Sequence, residues 1–117
     1  MPVARTRAVA LAGLRGALVD IEADLISTVP GIVIIGLPDA ALAEARERVR
    51  SAAANSGCPL PPRRITINLS PAALHKHGSG FDLAIALAAL ATAGVVPAES
   101  VARWAHIGEL GLDGRVR

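Results

Sequence analysis

The chain has few aromatic side chains and almost no cysteine. Among its 117 residues there are one phenylalanine, one tryptophan, no tyrosine and one cysteine. Protein classes that stack single-stranded nucleic acid on exposed aromatic rings, such as the OB and RRM folds, are therefore disfavoured. The lone cysteine, Cys58, forms no intrachain disulfide, which is typical of a reducing cytosol.

Leader-like and membrane-spanning segments are also missing from the sequence. Arg5 and Arg7 interrupt any early apolar stretch, so no secretory signal is indicated. The apolar run at residues 83–93 is far shorter than the roughly 20 residues that a membrane span requires. We expect a cytoplasmic protein with no membrane partner.

Apolar residues are plentiful, at 52% of the chain, whereas charged residues make up 19%. This composition excludes a disordered tail and predicts one domain with a core of Ala, Val, Ile and Leu. The formal net charge of +2 permits weak attraction to nucleic acid without demonstrating it.

The first third of the chain predicts a β-hairpin. Residues 3–11 and 17–27 are typical of strands, and charged residues alternate with apolar ones in the second. A two-residue loop at Leu14 and Arg15 would place Arg5 opposite Asp24, and opposite charges across the strands would favour that pairing.

The later elements follow from apolar runs bounded by glycine and proline. They are a central strand covered on both faces (31–36), a helix (39–55), a strand (64–69), a helix buried on every side (81–93), a helical turn (97–101), a strand (104–110), a tight turn (111–114) and a further strand starting at 115. We expect Leu42, Ala45, Val49 and Ala52 to form the buried stripe of the first helix, and Glu44 and Arg48 a pair on its exposed face. The fold class is α/β, a mixed sheet with two main helices.

The loop before the buried helix is the first candidate site. Gly78, Ser79 and Gly80 precede the helix as a phosphate cradle would, but no lysine follows them and Asp82 in the first turn would repel an anion. Ser79 could act as a nucleophile only with a nearby base, and we interpret it as a helix cap. No catalytic residue is predicted.

Two further sets of side chains suggest binding. His75 and His77 have spacing that suits a metal ion, yet no third ligand lies nearby, so no metal site is predicted. Arg63 and Arg64 lie at the mouth of a strand, where they suit phosphate contacts, although a solvated strand end is the plainer interpretation. Together with Lys76, the only lysine, they are the predicted nucleic-acid-binding residues.

Several blocks of the sequence resemble one family. In chain order they are residues 36–39, 44–52, 55–57, 63–72, 76, 78–83, 85–87 and 108–114. They cover nearly the whole chain and resemble the N-terminal region of the Mg-chelatase-like AAA+ ATPases of the YifB/ComM type.

The resemblance implies the α/β fold of ribosomal S5 domain 2, which also occurs in the peptidase domain of Lon. It implies that residues 1–117 are a single domain, truncated at its C-terminal end, with an AAA+ module downstream that uses ATP and Mg. It also implies hexameric rings and, for the ComM branch, branch migration of DNA.

The role expected for the chain is accessory, in oligomerisation or in guiding DNA or a partner, with no cofactor of its own. Two alternatives stay open: a Lon-like serine peptidase that uses Ser79, and a domain that only builds the ring. Against the peptidase, the serine position of Lon falls on Gly80 in this chain, and the partner lysine would lie beyond Arg117.

Overall fold

The computed structural model describes residues 3–12, 15–26, 29–37, 39–71, 76 and 79–117. Strands and helices within these residues follow in the order β1 (Val3–Ala12), β2 (Arg15–Ile26), β3 (Gly31–Ile35), α1 (Asp39–Asn55), β4 (Arg64–Ser70), α2 (Asp82–Thr92) and α3 (Ala98–Ala102). The predicted α/β class, with a mixed sheet and two main helices, is confirmed.

The four strands form one sheet in the order β1-β2-β4-β3. The β1–β2 and β2–β4 pairs are antiparallel, whereas β3 and β4 are parallel. One face carries alternating buried residues and packs against α1 and α2, which form the second layer. The other face carries the charged and polar residues of the alternating strands, as expected of a sheet covered on one side.

The hairpin exists, but its predicted register is wrong. Arg5 lies opposite Glu22 rather than Asp24, because the strands pair in a register that places Ala12 opposite Arg15. A shift of two partner positions leaves every side chain on its original face, so opposite charges still meet. The Arg5 and Glu22 side chains form an ion pair at 3.3 Å.

The strand at Gly31–Ile35 is an edge strand, so the prediction of a central strand covered on both faces is wrong. Among the described strands it pairs with β4 alone, and Ile32 and Ile34 face the core while Ile35 is 50% exposed. A run of β-branched residues indicates an extended backbone, and here only alternate members are buried.

The predicted strand at residues 104–110 is also wrong. Only isolated bridges are found in this segment, Ala105 beside Arg7 and Leu110 beside Val116, and the strand predicted to start at residue 115 is reduced to the second of them. The backbone of Gly108 bonds instead to the start of α2, accepting from the N–H of Leu83 at 3.0 Å and donating to the carbonyl of Gly80 at 3.0 Å. The segment therefore crosses over the helix start, and Trp104 is left 68% exposed.

The helices are found where the sequence predicts them. In α1, Ala45, Val49 and Ala52 are buried as expected, while the side chain of Leu42 lies outside the described residues. Gly57 has φ +77°, and the N–H of Cys58 donates to the carbonyl of Ala53, which completes a Schellman C-cap.

The second helix and the two predicted turns also lie where the sequence predicts them. Most residues of α2 are buried, but Leu83 and Leu87 on one face are only partly buried, so the helix is not buried on every side as predicted. The predicted turn at 97–101 is α3, and the turn at 111–114 closes with the N–H of Gly114 donating to Gly111. Across the described part of the chain, every helix is too short or too polar to span a bilayer.

Candidate functional site

A buried ion pair anchors the start of α2. Asp82 is 1% exposed, and Arg48 of α1 donates to its two carboxylate oxygens, from Nε at 2.5 Å and from Nη2 at 3.1 Å. The backbone N–H of Leu110 donates to the same carboxylate at 3.1 Å. This fork-to-fork geometry satisfies a charge that could not otherwise be buried.

The side chain of Arg48 does not lie on the exposed face of α1, where the sequence predicted it, but is only 20% exposed. The expected pair with Glu44 is present, with Nη1 donating at 3.2 Å, but the guanidinium points mainly toward α2. Its hydrogen bonds to Asp82 raise the pKa of Arg48 above the ordinary value, although partial burial opposes them. Arg48 therefore stays charged and links the two main helices.

Ser79 is engaged with a carboxylate rather than with the helix. Its hydroxyl donates to Glu109, and Phe81 occupies the N-cap position of α2 without a capping side chain. The interpretation of Ser79 as a side-chain cap is therefore wrong. Only its backbone carbonyl joins the helix start, where it accepts from the N–H of Asp82 at 3.2 Å.

The cleft beside Ser79 has a volume of about 290 Å³ and is lined by Ala41, Glu44, Arg48, Ser79 and Glu109. Its two carboxylates outnumber its one guanidinium, which is already bonded to Asp82. At the start of α2 the N–H groups of Asp82 and Leu83 are also bonded, to Ser79 and Gly108. A phosphate or an oxyanion would need such donors free, so this cleft does not suit an anion.

The two histidines of the sequence prediction, His75 and His77, lie outside the described residues, as does Gly78. Within the described ranges, no group of three or more His, Cys, Asp or Glu side chains is arranged to hold a metal ion.

The predicted nucleic-acid-binding residues are divided between two places. Arg64 is exposed at the first position of β4, and Arg63 immediately before it is half-buried. Lys76 is 2% exposed, and its ammonium donates at 2.7 Å to the carbonyl of Pro71, just past the other end of β4. Seven strand residues separate the two ends by roughly 20 Å. The structure therefore brings the two arginines together and leaves the lysine apart.

A second arginine of α1 joins the arginine pair. Arg50 and Arg63 both line a cleft of about 190 Å³ at the start of β3 and β4. Sequence reasoning missed Arg50, because only the packing of α1 across this end of the sheet brings it near Arg63. We refer to Arg50, Arg63 and Arg64 as the arginine end.

The comparisons with known proteins decide the family. The family model described as subunit ChlI of Mg-chelatase matches residues 21–117. The chain belongs to this family.

Within the ChlI family the chain is of the YifB/ComM type. It is 49% identical over 117 residues to an uncharacterized protein of Mycobacterium tuberculosis. Over 105 residues, 90% of the chain, it is 42% identical to the uncharacterized protein YifB of Salmonella typhimurium and 41% identical to the competence protein ComM of Haemophilus influenzae. The chain spans 23% of the length of the mycobacterial relative and 21% of the other two.

Proposed function

We propose that this ChlI-family chain is an accessory domain of a longer ATP-dependent DNA-processing protein and guides DNA along its arginine end. In this proposal ATP and Mg belong to an AAA+ module elsewhere in a cytoplasmic polypeptide that assembles into a ring. The resemblance to the ComM branch supports the DNA substrate, and one relative is named a competence protein.

The observation that carries the proposal is the charge at the arginine end. Arg64 is exposed, the enclosed Nε of Arg63 has no hydrogen-bond partner among the described residues, and Arg50 is held by an exposed pair with Glu47 at 3.6 Å. Arg5 and Arg7 of β1 are each paired with a carboxylate, as Arg50 is, so Arg63 and Arg64 distinguish the arginine end from β1. Guanidinium groups that the protein leaves unpaired are available to phosphates.

The experiment measures DNA binding by the full-length protein at several salt concentrations. Each lost phosphate contact reduces the slope of log K against log salt by about 0.9. The double variant Arg63→Ala/Arg64→Ala should therefore bind more weakly and lose about two units of slope.

Two control variants distinguish the loss of a phosphate contact from a general loss of positive charge. Arg103→Ala removes an exposed arginine beside α3, which packs on β1 at the opposite edge of the sheet, and should leave the slope unchanged. Lys76→Ala should also leave the slope unchanged, because the ammonium is buried. Wild-type affinity and slope in the arginine double variant would refute the proposal.

A further inference from the structure

Arg63 is a half-buried cation for which the described part of the chain provides no counter-ion. Its Nε is enclosed and has no hydrogen-bond partner. Among the described residues, only one other buried side-chain atom, Oδ1 of Asp24, also has none. Charged side chains that leave solvent are normally paired, because an unpaired buried donor is costly. Because the side chain is only half-buried and lines a cleft, an anion from outside the chain would reach this guanidinium at its terminal nitrogens rather than at Nε.

The cleft around Arg63 has a composition that selects a compact anion. Its walls are prolines and aliphatic side chains, including Pro30, Pro61 and Pro62, and its charged lining consists of Arg50 and Arg63. The volume of about 190 Å³ equals roughly six water molecules at liquid density, enough for one phosphate group. Arg50 is already paired with Glu47 at 3.6 Å, so a bound anion would chiefly offset the charge of Arg63.

We propose that this cleft binds a phosphate monoester, the terminal phosphate of a DNA strand. The inference rests on the proposed function and adds that strand ends are preferred to internal positions. A monoester carries about −1.5 to −2 charges and three free oxygens, which match two guanidinium forks. An internal diester carries one charge and two free oxygens, so it offers less charge and one acceptor oxygen fewer to the guanidinium groups.

The experiment compares oligonucleotides of one sequence that carry a 5′ phosphate, a 3′ phosphate or neither, bound to the full-length protein. A phosphorylated strand should bind about tenfold more tightly than the hydroxyl strand. Arg63→Gln and Arg50→Gln should each remove this preference, whereas Arg103→Gln should retain it. Arg64→Gln should weaken all three strands equally, because Arg64 is exposed outside the cleft lining.

The outcomes separate this inference from the proposed function. Equal affinity for all three strands, with binding still dependent on salt and on Arg64, would overturn the terminal-phosphate site and leave DNA guidance intact. Thymidine monophosphate that binds through Arg63 as tightly as a phosphorylated strand would identify a free nucleotide as the ligand and overturn the strand-end assignment. Arg63→Lys, which keeps the charge and most of the stem, should lose the preference while melting at the wild-type temperature; a retained preference would overturn the role of the guanidinium fork.

Discussion

Replacement of Arg48 by alanine should be among the most destabilising changes in the chain. It would leave the carboxylate of Asp82, which is 1% exposed, with only the N–H of Leu110 as a donor. Removal of one partner from a buried ion pair costs about 3–5 kcal/mol, since the remaining charge is neither hydrated nor paired. Domains of this size are stable by about 5–15 kcal/mol, so the loss would be a large part of the total.

Urea denaturation followed by circular dichroism measures this loss, provided that the m-value stays constant. Arg50→Ala is the matched control on the same helix: its pair with Glu47 is exposed, and the expected cost is below about 0.5 kcal/mol. Arg48→Ala/Asp82→Ala should recover part of the loss of the single variant, because it removes the stranded charge. A cost for Arg48→Ala no greater than that of the Arg50 control would refute the reasoning.

Two other predictions concern the backbone and Ser79. Gly36→Ala should destabilise far more than Gly57→Ala: both residues have positive φ, but a Cβ on Gly36 would meet the carbonyl oxygen of Leu69, whereas nothing lies within 4 Å of one on Gly57. Comparison of their urea midpoints tests this, and equal midpoints would contradict it. Ser79→Ala should cost about 0.5–1.5 kcal/mol through the lost bond to Glu109 and leave any casein cleavage by the full-length protein unchanged; cleavage that disappears with the hydroxyl would establish the peptidase alternative.

Local signals in the sequence are sufficient for the helices and insufficient for the sheet. The apolar stripe of α1, the glycine at its C-cap and the all-round apolar pattern of α2 each lie within one element, so the bounds of both helices follow from neighbouring residues. Strand order depends on contacts between distant segments, and a β-branched run such as residues 31–35 indicates a strand without indicating its neighbours. For the same reason, the backbone bonds of Gly108 to the start of α2 have no sequence signature.

The Arg48–Asp82 pair was missed although one signal for it was present. An aspartate in the first turn of a helix that is otherwise apolar on every side requires a partner, because the turn is buried with the rest. That argument predicts a cation near Asp82 and cannot say which of many arginines supplies it. Arg63 and Lys76 illustrate the same limit. The strand predicted between them indicates that they lie far apart, but only the folded structure shows that Lys76 is buried and Arg63 half-buried.

Ion pairs within the described chain distinguish the charged residues that stabilise the fold from those that we propose bind DNA. Arg48 and Asp82 satisfy each other and hold two helices together, and Ser79 is likewise bonded to Glu109. Arg63 has no such partner in the described chain, and Arg64 is exposed on the outer end of the sheet beside it. An ionic group that costs free energy in the isolated domain is retained most simply where a ligand supplies the missing charge. For this reason the proposed docking site for nucleic acid is the arginine end rather than the glycine loop that the sequence makes conspicuous.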